Sequence, residues 1–457
     1  MTTASAAASR AYRAIWRWHF YAGLIVAPFL LILAVTGAIY LFSDELDVAL
    51  SPRLYRVAPH ARSAPPARLV EAALAAHPGT AMRIDLPPPN DRSAIVFVTP
   101  ATGDPIRVAV DPGNARVLGA FVYTRTLVGF ADTMHGSLML GTLGEIVVEL
   151  AACWALVLIA TGVYLWWPRG RRGLAGILYP RLSARGRAFW RDLHATTGVW
   201  AVALIAFLLL TGLPWALVQG DVLKRGTSAL GIGYPAPQRE RSVPQAATMK
   251  GKLGAVAWTM EDAPMPTSAA HANHAGYSGH TDRAAISGLD AIAATLARDY
   301  GLVRGYRLFP PTDPSGVYTA IAYPDRPQGQ RTLTFDRYTG RLIRDVGYAD
   351  YGAAAKAIEL GVQLHMGNYF GLPNQLVMLA TCIAIVVLVV SGIAMWWRRR
   401  PTGRLAAPPR VSDARIAGAI AILLVASALF PLLGLSLIVV CAIDRVTVTI
   451  ARRRAIV

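Results

Sequence analysis

The sequence predicts an α-helical protein that crosses a membrane several times, with four core helices, two small external α+β domains and an internal two-fold repeat. Three observations lead there. Apolar residues make up 54% of the 457-residue chain and charged residues only 16%, a balance too apolar for a soluble protein of this length. Apolar runs of about twenty residues, enough to cross a bilayer, lie near 20–42, 145–167, 196–218 and 376–397. The two halves also space the same residues alike: Gly37 follows His19 by 18 residues and Gly212 follows His194 by 18. Gly162 and Trp166-Trp167 follow His135 by 27 and 31 residues, as Gly392 and Trp396-Trp397 follow His365.

The core helices are expected over 16–43, 143–167, 190–218 and 374–397. The first runs too far beyond Thr36-Gly37 to be a cleaved signal peptide, so it is read as an uncleaved helix. The net charge of +18 is a topology signal rather than a sign of nucleic-acid binding. Arg10, Arg13 and Arg17 precede the first span; Arg169, Arg171, Arg172, Arg181, Arg185, Arg187 and Arg191 join the second to the third; Arg398, Arg399, Arg400, Arg404 and Arg410 follow the fourth. If the spans alternate, these segments share one side, which the positive-inside rule makes the cytoplasm. The chain then divides into the N-terminus with the first helix (1–43), a first external loop (44–134) and a central segment of two spans with the basic loop (135–218). A second external loop (219–364), the fourth span (365–400) and a tail (401–457) follow. The tail's apolar stretch, 412–450, is broken at Pro431. It reads as a hairpin turning at Phe430-Pro431, giving six helices, or as one long or re-entrant segment. Cys153, Cys382 and Cys441 all fall in apolar sequence, without a disulfide or zinc framework and without the C-x-x-C-H that attaches c-type haem.

The external loops repeat as well. Residues 66–76 have helical periodicity, Ala94–Val98 and Ile106–Val110 read as strands, and Asp111 to Arg116 forms a tight turn into another. Later come a helix over Leu289–Tyr300, strands over Tyr318–Tyr323 and Thr332–Phe335, and the matching turn Asp336 to Arg341. The aspartate caps each turn and Asn or Gly supplies positive φ.

The four repeated histidines carry the chemistry. Paired histidines on neighbouring membrane helices hold haem iron from both faces, whereas single histidines at helix ends are usually interfacial. His19 and His194 open outward-going helices, and His135 and His365 precede inward-going ones. At about 1.5 Å per residue the two levels lie about 20–30 Å apart, so bis-histidine ligation pairs His19 with His194 and His135 with His365. That makes two non-covalent b-type haems. Gly23 and Gly198, one turn past their histidines, with Gly37 and Gly212 further along, allow a flat macrocycle close approach or serve small-residue helix packing. Gly162 and Gly392 reach the level of the first pair from the other direction. Arg17 and Arg191 are candidate propionate partners.

The α-β-β units ending in D-x-x-x-G-x-[VL]-[LI] look like PepSY domains. Trp18-His19…Thr36-Gly37, Leu193-His194…Thr211-Gly212 and Leu364-His365…Trp396-Trp397-Arg398-Arg399-Arg400-Pro401 resemble the PepSY-associated transmembrane family over about 12–400. That family includes iron-uptake proteins and ferric-siderophore reductases of the FoxB type, which are di-haem proteins of the bacterial inner membrane. The resemblance implies periplasmic PepSY-like domains, a cytoplasmic N-terminus, electron transfer through the membrane and a ferric siderophore as acceptor.

No G-x-G-x-x-G, P-loop or G-x-S-x-G is present, so the electron donor is another protein or a membrane quinol. Glu145 and Glu149, early in the second span, are either a proton or quinol contact or a paired interfacial carboxylate. His271, His274 and His280, with Met249, Met260 and Met265 upstream, are a weak metal-loop signal, and 235–285 reads as an insertion. Two other classes stay open: a non-enzymatic PepSY-containing regulator or assembly factor, and a transporter.

Overall fold

Long runs of apolar residues with few breaks can satisfy their backbone in a bilayer only as helices, and four such helices organise the chain. The computed structural model describes residues 3–60, 62–168, 174–233, 248–254, 256–268, 283–400 and 424–454. Helices of more than ten residues are α1 (Thr3–Tyr40), α2 (Pro66–Ala76), α3 (Leu127–Ser137), α4 (Thr142–Trp166) and α5 (Arg187–Gly212). After them come α6 (Leu217–Ala229), α7 (Arg283–Tyr300), α8 (Ala353–His365), α9 (Leu372–Trp397) and α10 (Pro431–Arg454). Among the described residues, the spans long and apolar enough to cross a membrane are Arg10–Tyr40, Thr142–Trp166, Arg187–Trp215 and Leu372–Trp397. The chain divides into two compact units, one of 1–41, 132–223 and 375–457, the other of 42–131 and 224–374.

In the helical unit, α4 packs against α1 and α5. Small residues make the close approaches, with Ala22, Ala34, Ala151, Ala155 and Ala201 all buried, as expected where helices associate without a hydrophobic drive. α9 meets α1 through Arg399 over the Trp16 ring and meets α5 at Leu388, opposite Gly198. α10 docks on α4: Leu433 lies in a cluster with Cys153 and Val157, and the Trp154 indole N–H donates to Ser436 Oγ at 3.1 Å. The helical stretch ending at residue 429 breaks at Phe430, before Pro431. The apolar part of α10, Pro431–Ile443, is shorter than a span. The expected first arm of the tail hairpin, up to residue 423, lies outside the described residues.

The other unit is built on one antiparallel sheet of eight strands in the order β4-β3-β2-β1-β5-β6-β7-β8. They are β1 (Thr80–Leu86), β2 (Ala94–Thr99), β3 (Ile106–Val110), β4 (Val117–Phe121), β5 (Tyr306–Phe309), β6 (Val317–Ala322), β7 (Arg331–Asp336) and β8 (Leu342–Gly347). Two separate small domains were expected. Instead β1 pairs with β5, Ile84 opposite Leu308, and the strands share one sheet and one core. Neither strand leaves an open edge that would invite pairing with another chain. α2 and α7 supply Leu69, Val70, Leu289 and Ile292 to the core, against Ile84, Val96, Leu308, Leu333 and Phe335 of the strands.

Both aspartate turns form. Asp111 Oδ1 accepts from Gly113 N, and Asp336 Oδ1 accepts from Tyr338 N and Thr339 N. The positive-φ residue is Gly340 in one turn (φ 66°) but Ala115 in the other (φ 61°), not Asn114 as the sequence suggested.

Candidate functional site

His19 lies near the middle of α1 and His194 two turns into α5, each just after a stretch of the helix that carries arginines. Their rings face one another with centroids 6.3 Å apart and planes at 89°. Each ring is held at Nδ1 by a neighbouring helix. His19 Nδ1 lies 2.8 Å from Thr161 Oγ1 of α4. The Thr161 hydroxyl donates to Val157 O at 2.7 Å, so its oxygen accepts the Nδ1 proton. His194 Nδ1 lies 3.0 Å from Leu388 O and 3.1 Å from Ser391 Oγ of α9, and a carbonyl can only accept. Both imidazoles therefore carry their proton on Nδ1 and present a bare Nε2 lone pair.

The residue after each hydroxyl is a glycine that gives the ring room. A Cβ at Gly162 would stand 3.3 Å from His19 Cε1, and one at Gly392 would stand 3.6 Å from His194 Cε1. The same device recurs at the far end of α1. His135, on α3, places Nδ1 3.1 Å from Thr36 Oγ1, while Thr36 donates to Ile32 O at 2.7 Å. A Cβ at Gly37 would lie 3.2 Å from His135 Cε1. Burial holds the His135 imidazole below its ordinary pKa. From His19 to Thr36 along α1 is about 26 Å at the helical rise per residue.

His365 ends α8 and belongs to the sheet-bearing unit; the next carbonyl back, Leu364 O, accepts from Asn374 Nδ2 at 2.8 Å. A Cβ added at Gly23 would stand 3.8 Å from Leu158 Cδ2 and one at Gly198 3.6 Å from Leu388 Cδ2, ordinary contact distances between packed helices. Gly212 closes α5. Sequence reasoning missed Thr36, Thr161 and Ser391. Their signal was in plain view: a hydroxyl residue precedes the glycine at each repeated position, Thr36-Gly37, Thr161-Gly162, Thr211-Gly212 and Ser391-Gly392.

The facing pair fits haem. A metal–imidazole bond of about 2 Å on each side, plus about 1 Å from each nitrogen to its ring centre, spans about 6 Å, close to the observed separation. Among the described residues no group of three or more His, Cys, Asp or Glu could hold a metal ion. Two axial imidazoles would leave a bare ion under-coordinated, whereas a porphyrin brings its own four nitrogens.

Other sequence candidates have structural partners. Glu149 is buried and accepts from Val218 N and Gln219 N at 2.8 and 3.0 Å, capping the start of α6 where backbone N–H groups lack helical partners. The Arg191 guanidinium pairs with Asp192, together with Arg181. Arg17 reaches the Tyr21 hydroxyl at 3.4 Å. His271, His274 and His280 lie outside the described residues. Compared with known protein families, residues 16–399 match the family described as PepSY-associated TM region. No curated protein matches the chain.

Proposed function

We propose that this chain, which belongs to the PepSY-associated transmembrane family, is a di-haem electron conduit. It takes electrons from a cytoplasmic or quinol donor and delivers them to a ferric siderophore on the other side of a bacterial inner membrane. The observation that carries the reading is the pair His19 and His194: two neutral imidazoles at 6.3 Å, each with Nδ1 held and Nε2 free. Bound between such ligands, a haem supplies one-electron chemistry, shuttling between ferric and ferrous iron. The chain's part is to present the nitrogens, keep them deprotonated and exclude water from the apolar span. His135, with Thr36 and Gly37, reproduces the arrangement at the other end of α1, and His365 is its partner in the sequence repeat. Reduction at the acceptor weakens the hold of hard oxygen ligands on iron and so releases it.

The test is direct. Purified protein should show a reducible Soret band with sharp α and β bands, and acid acetone should extract about two haems per chain. Dithionite-reduced protein should be reoxidised by a ferric siderophore, with Fe(II) captured by a chelator. A colourless preparation overturns the conduit. Prompt reoxidation by other oxidants but not by ferric siderophores leaves the conduit standing and removes iron as its cargo.

A further inference from the structure

Thr161 and Ser391 do not meet their histidine Nδ1 atoms alike. His194 has two acceptors, the Leu388 carbonyl at 3.0 Å and the Ser391 hydroxyl at 3.1 Å. His135 Nδ1 meets a threonine hydroxyl, Thr36 Oγ1, at 3.1 Å. For His19, among the described residues, Thr161 Oγ1 is the acceptor at Nδ1 and no carbonyl stands beside it. Thr161 is itself oriented: its hydroxyl proton is spent on Val157 O at 2.7 Å, with Leu158 O at 3.2 Å. The oxygen can then only receive.

We infer that Thr161 is the positioning residue of the His19–His194 site, its hydroxyl fixing the His19 tautomer and ring, whereas Ser391 is backed by a carbonyl and is individually dispensable. This rests on the haem reading above. A neutral imidazole places its one proton on either nitrogen, and a proton on Nε2 blocks the lone pair that a metal needs. An acceptor at Nδ1 draws the proton there and makes Nε2 the stronger donor. Removing the acceptor at His19 leaves nothing in its place. Removing Ser391 Oγ leaves Leu388 O at 3.0 Å. Threonine and valine have nearly the same shape, so Thr161→Val deletes the hydrogen bond while leaving the packing of α1 on α4 in place.

The experiment uses the full chain purified with its haems and compares wild type with Thr161→Val, Thr161→Ser and Ser391→Ala. Haem per chain, the low-spin ferric electron paramagnetic resonance signal and the redox titration of each haem are measured. Thr161→Val should weaken retention of one haem about 10-fold or more and move that haem's midpoint to more positive potential, since a poorer donor stabilises ferric iron less. Thr161→Ser should restore both. Ser391→Ala should stay close to wild type. The inference is overturned if Thr161→Val leaves content, spectrum and potential unchanged, or if Ser391→Ala does as much as Thr161→Val. Should Thr161→Val fail to fold, Thr161→Ala, which removes the hydroxyl without adding bulk, replaces it under the same criteria. Wild-type protein without haem would overturn both this inference and the proposed function; haem-loaded protein indifferent at residue 161 overturns this inference alone.

Discussion

Glycine at 162 and at 392 answers the same need with different margins. An added Cβ would stand 3.3 Å from His19 but 3.6 Å from His194, the first tighter than ordinary van der Waals contact, the second within it. Gly162→Ala should therefore push the His19 ring by a few tenths of an ångström and lower haem retention, while Gly392→Ala should be tolerated. Haem-to-protein ratios of the two variants decide it. Equal losses would mean that the glycines act only in helix packing.

At the scale of elements, the two aspartate turns differ at one backbone position. Ala115 adopts φ 61° where its counterpart Gly340 adopts 66°, and an L-residue pays about 1 kcal/mol there. Ala115→Gly should stabilise the sheet-bearing unit by up to about 1 kcal/mol and Gly340→Ala should destabilise it comparably, measured by thermal unfolding followed by circular dichroism. Helix α8 is anchored differently. Glu359 is fully buried and accepts from Gln330 Nε2 at 3.0 Å, Tyr323 OH at 3.1 Å and Thr259 N at 3.3 Å. Burial raises its pKa above the ordinary carboxylate range, and these donors offset only part of that. The folded state thus binds more protons than the unfolded one between the ordinary and the raised value, so stability falls as pH climbs through that window. Glu359→Gln should flatten that slope and gain on wild type as pH rises. An unchanged slope would show that the carboxylate does not titrate there.

For the molecule as a whole, the reading is two redox levels joined by α1. His19→Ala and His194→Ala should each abolish the same haem signal, and His135→Ala should abolish the other, with His365→Ala matching it if the sequence repeat holds. Variants at the second level should lose reoxidation by ferric siderophore, since no other redox group is expected on that side. Variants at the first should keep that step yet lose turnover from the donor. Loss of one common signal in His19→Ala and His135→Ala would overturn the two-level arrangement.

What was legible beforehand was what depends on local periodicity. Four spans, helix α2, strands β2, β3, β6 and β7 and both turns can be read along the chain, because each is encoded in spacing and in turn residues. β1 and β5 were not. β1 places Arg83 and Asp85 among its apolar positions and β5 has four residues; both are strands because they pair with each other at the middle of the sheet. The histidines and their glycines were visible as a repeat, but the repeat could not say which atom touches which. That Gly162 faces His19, that Thr161 takes its Nδ1 proton and that Glu149 caps a helix 69 residues away depend on how helices turn about their axes when packed. A one-dimensional spacing records the level of a residue in the bilayer; only the packed bundle decides the partner across the gap.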